Sequence, residues 1–378
     1  MIATDEDLLR LAQEDRERFS PACLNRIAAL CGLSRCEPEP PPADDPDDAL
    51  ISVIVPTHNR RELLLRCVDS ILEQTHRRVE VIVVDDASTD GTAGAVAARF
   101  GGEPRVRYLR NETPLGPGGA RRRGYLASGG AFVVYIDDDD QYLEPRFFET
   151  ALRAHREHPG CALVAGNTVT FSAEQRFCSF RPLNVTGFLP GRDYLLGFIR
   201  RYDKPSSSFP AVFRRSVLEQ AGFAQMQMMN DASLYLRALC FGDAFLLPCV
   251  VGAYRVHGGN ISRALPHGFL LDNLEEKANI CRLAERRYGG DVRAWYREQV
   301  FSSVRYYFAG TKSTWRQKRE VLRWCRRNCG SVMPLLLRAG LVRTFKLPRR
   351  LYWRLKLKAL SAIRKGDAPH DPPGRSGS

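Results

Sequence analysis

The stretch AFVVYIDDDD, residues 131–140, sets an apolar run directly before four consecutive aspartates. The run has the length and branched composition of a buried strand, and the acids mark where it leaves the sheet. Neighbouring carboxylates raise each other's protonation cost, so such a cluster destabilises a fold unless a cation or a solvated turn accommodates it. Upstream, LISVIVPTHNR (50–60) and VEVIVVDDAS (79–88) end in the same way, with Thr57-His58-Asn59 and with Asp85-Asp86. VRYLRN (106–111) is a further short strand. Helical segments lie between these runs: RELLLRCVDSILEQT (61–75), with Leu64, Cys67, Val68, Ile71 and Leu72 on one face, then GTAGAVAARF (91–100) and GGARRRGYLASG (118–129). Four strand–helix alternations predict an α/β fold, a mostly parallel sheet covered by helices on both faces. Ligands of such sheets bind at the carboxyl ends of strands. Three polar clusters fall at those ends.

The rest of the chain is arranged around this core. Its 378 residues, 44% of them hydrophobic, support one main domain with appendages. Residues 1–36 predict one or two short helices, and EPEPPPADDPDD (37–48) is a linker, because proline removes donors and the acids repel. The main domain runs over 50–263, with 50–142 and 143–263 as its two halves; a helical basic extension over 264–366 and a disordered end over 367–378 follow. The N-terminus lacks the basic-then-apolar order of a signal peptide, and no apolar run reaches about 18 residues. AFLLPCVVGAY (244–254) is broken by Pro248 and reads as a buried strand. A cytoplasmic chain is expected. Eleven cysteines without CxxC pairs or histidines at zinc spacing argue for reduced core thiols.

The net charge of +13 is concentrated late. Residues 311–366 hold 17 Lys and Arg against Glu320 alone, a local +16 that leaves −3 for the other 322 residues. TFKLPRRLYWRLKLKALSAIRKG (344–366) mixes basic and aromatic side chains in the manner of a helix lying in an anionic membrane interface, or packed on the domain with a solvated basic face. Attachment to the inner face of the cell membrane fits the first of these. No nucleic-acid fold accompanies the charge, so nucleic acid is not an expected partner.

Carboxylates at a strand end suit Mg²⁺ or Mn²⁺, which bridge one or two protein carboxylates to phosphate oxygens. Within the aspartate run, alternation along an extended chain lets Asp137 and Asp139 project together. In sequence order, VIVPTHNRRELLLRCVDSILEQT, VEVIVVDDASTDGT and RNETPLGPGGARRRGYLASGGAFVVYIDDDD resemble the donor half of the inverting family 2 glycosyltransferases, which have the Rossmann-like GT-A fold. FRRSVLEQAGF (213–223), NDASLYLRAL (230–239) and YRVHGGNIS (254–262) resemble later blocks of that family, so the likeness spans roughly 50–263.

The resemblance implies a nucleotide-sugar donor, a UDP-sugar, and a glycan or lipid-linked acceptor in surface polysaccharide or lipopolysaccharide-type assembly. By position it implies that Pro56, His58 and Asp86 border the base, that Arg121 meets the diphosphate side, and that Asp137 faces the ribose. It implies Asp139 and His257 for the cation, and Asp231 as the general base. The segment IRRYDKPSSSFPAVFRR (199–215) lines the acceptor side by the same resemblance, with Ser207 and Asn230 as contacts. Asn230 and Ser233 depart from the acids usual there, and Arg122 from a frequent Asn. Two other classes compete: a nucleotidyltransferase making nucleotide sugars, against which VPTHNRRE lacks the Gly-rich loop, and a non-catalytic binding module, which needs no base.

Overall fold

The computed structural model describes residues 2–33, 48–172, 174, 176–256, 266–290, 292–311 and 313–330. His257, residues 34–47 of the linker region and the stretch 331–378 lie outside them. The described residues fall into two compact units, one within 1–260 and 279–292, the other within 261–278 and 293–378.

The first unit begins with α1 (Asp5–Glu14) and α2 (Pro21–Cys31). Then come β1 (Ile51–Thr57), α3 (Arg61–Leu72), β2 (Val79–Asp85), α4 (Thr92–Phe100), β3 (Val106–Arg110), α5 (Gly116–Ala127) and β4 (Phe132–Tyr135). After them follow β5 (Gln141–Tyr142), α6 (Phe147–Glu157), β6 (Cys161–Ser172), β7 (Phe177–Phe180), β8 (Gly187–Leu189) and α7 (Gly191–Gly197). The chain continues through β9 (Ala211–Arg214), α8 (Arg215–Gln220), α9 (Asp231–Leu239) and β10 (Asp243–Val256) to α10 (His267–Tyr288). α10 begins in the second unit and ends in the first, and the second unit also holds α11 (Val292–Gly310) from residue 293 and α12 (Trp315–Cys329). No helix among the described residues is long and apolar enough to cross a membrane.

All ten strands join one sheet of order β3-β2-β1-β4-β9-β6-β10-β5, with β7 on β6 and β8 on β10. β1, β2, β3 and β4 are mutually parallel, as the strand–helix alternation requires, and β9 enters antiparallel between β4 and β6. Every residue of β1 is buried, which explains its mostly apolar composition: a strand covered on both faces has no solvent side. The face of α3 carrying Leu64, Cys67, Val68 and Ile71 is buried in the core built around β1, β2 and β4. α5 lies closest to the sheet. A Cβ at Gly124 would stand 2.4 Å from Ile54 Cγ2, so only glycine permits that approach.

Two prolines sit in strands without breaking them. Pairing of β1 to β4 ends at Ile54, so the missing N–H of Pro56 falls beyond the ladder on that side. Pro248 sits inside β10, in the register shift between Leu246 and Val250. The N-terminal helices belong to the same unit. Ile27, Leu24 and Cys23 of α2 share a cluster with Val169, Phe171 and Val250, and Ile2 exchanges both backbone hydrogen bonds with Cys178 of β7.

Candidate active site

The carboxyl ends of β1, β2 and β4 stand side by side, because these strands are adjacent and parallel. Two of the loops leaving them hold a non-glycine residue at positive φ, Asn59 at 53° after β1 and Ala87 at 64° after β2. Such conformations cost free energy and persist where surrounding contacts impose them.

Those contacts are visible. Asn59 N donates to Ser88 Oγ at 2.9 Å and its Oδ1 accepts from Thr89 N at 2.8 Å, tying the two loops together. His58 Nδ1 hydrogen-bonds the Asp86 carbonyl at 2.7 Å, which fixes an exposed imidazole on the rim. The Asp86 carboxylate is buried and accepts from Asn111 Nδ2 at 2.6 Å, Leu115 N at 2.7 Å and Gly116 N at 2.8 Å. It thereby clamps the start of α5 against β2. Oδ2 takes only the Gly116 bond among the described residues, which leaves it room for one more donor.

Each of the four aspartates has a partner. The chain turns here, Asp140 N bonding the Asp137 carbonyl at 3.1 Å, and Asp138 and Asp140 are buried while Asp137 and Asp139 are less so. Asp137 accepts from Arg121 Nη2 at 2.5 Å. Asp138 takes Thr57 Oγ1 at 2.7 Å and Arg60 Nη1 at 3.0 Å, and the same Nη1 reaches Asp139 at 2.8 Å. Asp140 Oδ1 accepts from Arg255 N at 3.0 Å, while its Oδ2 is buried without a partner. Burial pushes Asp138 up to about 6 against the pull of Arg60 and Thr57. Asp140 is raised further, by burial and then by the charges of Asp139 and Asp137.

Arg121 carries the arrangement across to the second half of the domain. Its buried guanidinium donates to Asp137 and to the Met229 carbonyl at 2.7 Å, and lies 3.7 Å from Asp231 Oδ1. Asp231 opens α9 with its side chain 30% exposed. Asn230 is the N-cap of that helix. Its side chain accepts from Ser233 N at 2.9 Å, and Ser233 Oγ accepts from Asn230 N at 3.0 Å, a reciprocal capping box. The two departures from acids noted in the sequence are therefore one device: they start the helix that presents Asp231. Lys204, half-buried, bonds the Pro205 carbonyl at 2.8 Å. Burial lowers its affinity for a proton and the charge of Asp231 opposes that.

Ser207 is buried with its Oγ unpartnered, and its carbonyl receives Tyr235 OH at 3.0 Å. Pro56 is buried in β1, two residues before the exposed His58. Ile199, a β-branched residue at φ 67° and 56% exposed, begins the segment that holds Lys204 and Ser207. Arg60, Lys204 and Arg255 were not singled out in the sequence. Nothing in the sequence around Arg60 marks it as the partner of an acidic run 78 residues later.

The donor chemistry at this rim fits a divalent ion bound together with phosphates. Such an ion takes only one or two protein carboxylates, and Asp139 is the one that would hold it, two residues beyond Asp137 at the end of β4. Among the described residues, no group of three His, Cys, Asp or Glu side chains converges as a metal site on its own.

The site is thus an α/β domain with carboxylates at adjacent strand ends and a second acid at the start of a following helix. Residues 52–222 match the model of "Glycosyl transferase family 2", so this stretch is a family 2 glycosyltransferase domain, with the GT-A fold. The matched stretch ends before Asp231. The GalNAc(5)-diNAcBac-PP-undecaprenol beta-1,3-glucosyltransferase of Campylobacter jejuni is 31% identical over 189 residues, 49% of this chain and 58% of that protein. The chain thus aligns with less than two thirds of that relative's length. The succinoglycan biosynthesis protein ExoO of Rhizobium meliloti is 28% identical over 66% of this chain and 72% of its own. Among solved structures, S. aureus TarS 1-349 in complex with UDP-GlcNAc superposes with a TM-score of 0.58 at 16% identity, over 84% of this chain and 92% of that one. That likeness shows the fold.

Proposed function

We propose that this protein is an inverting glycosyltransferase that moves a sugar from a UDP-sugar to a hydroxyl of a glycan or lipid-linked acceptor during surface polysaccharide or lipopolysaccharide-type assembly. The observation that carries the reading is the reach of Arg121 to both Asp137, at the end of β4, and Asp231, at the start of α9. One buried guanidinium thus joins a donor-side acid to a second acid with a partly exposed side chain. The names of the relatives support the acceptor class: one acts on a PP-undecaprenol-linked glycan and another serves succinoglycan biosynthesis. The UDP-GlcNAc complex of TarS supports the donor class.

In this reading His58 offers an exposed ring for stacking on the base, beside Pro56, and the open position on Asp86 accepts from the base. Asp137 meets the ribose, and Arg121 holds Asp137 in place. Asp231 takes the proton of the acceptor hydroxyl as the new bond forms, a contribution of about 10²–10⁴ in rate. Attack from the face opposite the departing diphosphate inverts the anomeric centre. A Mn²⁺ or Mg²⁺ ion held by Asp139 would act as a Lewis acid toward the leaving group. His257 is proposed beside it from sequence alone. Ser207 and Asn230 remain proposed for the acceptor side, with Asn230 acting through the helix it caps.

The reading places the enzyme in the cytoplasm, on the inner membrane face, with the basic extension as the contact. In the second unit, Arg316, Arg323, Arg326 and Arg327 of α12 line one concave face around Glu320, which is held by His267 Nε2 at 3.0 Å.

The direct test incubates the purified chain with a panel of UDP-sugars, Mn²⁺ and short glycan acceptors, and measures the nucleotide product. Release of UDP that Asp231→Asn abolishes supports the transferase. Release of pyrophosphate from a sugar phosphate and UTP would instead establish a nucleotidyltransferase, and binding without turnover a binding module.

A further inference from the structure

Arg60 occupies an unusual position for a surface arginine. It precedes α3, its side chain is 31% exposed, and a single nitrogen, Nη1, bridges two nearly buried carboxylates, Asp138 at 5% and Asp139 at 9%. The contacts, 3.0 and 2.8 Å, link the end of β1 to the turn after β4, 78 and 79 residues later in the chain. Thr57 supports the same bridge by donating to the other oxygen of Asp138. Nearby positive charge also comes from Arg255, whose Nε donates to the Asp139 carbonyl at 3.2 Å.

Two adjacent acids in a site this enclosed need a counter-charge at all times, because leaving a buried carboxylate unpaired costs several kcal/mol. A cation bound by Asp139 together with a diphosphate supplies that charge only while donor is present. Arg60 can supply it the rest of the time. Both demands fall on one carboxylate, and a guanidinium and a divalent ion in contact with it at once repel each other.

We propose that Arg60 is the resident counter-cation of the Asp138–Asp139 pair, and that a divalent ion arriving with the nucleotide takes its place on Asp139. The inference rests on the reading of this rim as a donor site for a cation and a nucleoside diphosphate. Exchange is local: Asp138 retains its Thr57 bond, so the turn keeps one anchor while the guanidinium leaves Asp139. Freed from Asp139, Arg60 remains beside the incoming diphosphate, where its charge is again paired. The device makes cation binding conditional on the nucleotide. Without phosphates, Mn²⁺ has to compete with an arginine already in contact.

The test measures Mn²⁺ binding by calorimetry, without and with UDP, for the wild type, Arg60→Gln and Arg60→Lys, each checked for a folded state by circular dichroism. The wild type is expected to bind Mn²⁺ alone weakly and at least tenfold more tightly with UDP. Arg60→Gln is expected to bind Mn²⁺ alone at least tenfold more tightly than wild type, and to melt lower in EDTA with recovery on adding Mn²⁺. Arg60→Lys, which keeps the charge, is expected to stay close to wild type in both. Equal Mn²⁺ affinity in Arg60→Gln and wild type overturns the proposal while leaving the cation site standing. UDP binding with no Mn²⁺ dependence in any of the three overturns the cation site itself, and the proposal with it.

Discussion

Arg121 lies 3.7 Å from Asp231, although the two are 110 residues apart and on different helices. The guanidinium is buried and also donates to Asp137 and to the Met229 carbonyl, so it hydrogen-bonds two acceptors and pairs with Asp231 across the two halves of the domain. Removing it takes the counter-charge from Asp137 and Asp231, whose side chains are 34% and 30% exposed. Arg121→Gln is expected to lower the urea midpoint, by less than the ~3–5 kcal/mol of a fully buried pair because water reaches both acids. Arg121→Lys should recover only part of this, since one ammonium cannot reproduce the fork. A midpoint unchanged in both variants would mean that the guanidinium holds nothing.

Asn230 and Ser233 predict a stability effect that separates capping from substrate contact. Asn230→Ala should cost about 1 kcal/mol, and Asn230→Ser or Asn230→Asp should restore most of it, because both accept from the N3 amide. Denaturant midpoints of the three variants decide this. An Asn230→Ala protein as stable as the wild type would show that the cap in α9 contributes nothing.

His155 gives the fold a defined pH dependence. It is buried, Nε2 bonds the Val212 carbonyl at 2.9 Å, and Arg214 Nη2 approaches Nδ1 at 3.3 Å, so the ring is neutral. Burial holds its pKa down at about 3, against the raising effect of the Val212 bond. The unfolded chain takes up a proton near pH 6.5 that the folded one refuses. This contribution is therefore present above about pH 6.5 and is lost, at up to about 1.4 kcal/mol per pH unit, as pH falls toward 3. His155→Gln should lose that slope, so the difference between the two stability–pH curves should change between about pH 6.5 and pH 3. Parallel curves would contradict the assignment.

The arginines of α12 predict salt-sensitive binding to anionic vesicles. The full chain should sediment with phosphatidylglycerol vesicles and not with phosphatidylcholine, and replacing Arg316, Arg323, Arg326 and Arg327 together by Gln should weaken binding by about tenfold or more. Unchanged binding by the fourfold variant would remove α12 from the membrane contact.

The parallel half of the sheet was legible because β1, β2 and β4 are almost wholly buried and so are rich in Val, Ile and aromatic residues. β5, at two residues, and β8, at three, are too short to show any period, and they exist because β10 offers them an edge. The seating of α2 on β6, β7 and β10 was equally invisible, since it depends on contacts across more than 100 residues. At the site, the strand-end acids could be found by position alone. Their partners could not: Arg60 meets Asp138 only after the chain has formed β2, β3 and β4, and nothing local in THNR distinguishes it from a surface charge. Asn230 shows the opposite case. Its departure from the family pattern reads as a lost charge in sequence and as a capping box in three dimensions.

The measurement that tests the central claim most directly is a calorimetric titration of UDP into the wild type and Asp139→Ala, with and without Mn²⁺, using GDP as the control. The account predicts UDP binding that Mn²⁺ strengthens, that GDP does not reproduce, and that Asp139→Ala reduces to the metal-free level. Absence of metal-coupled binding to either nucleotide would contradict it.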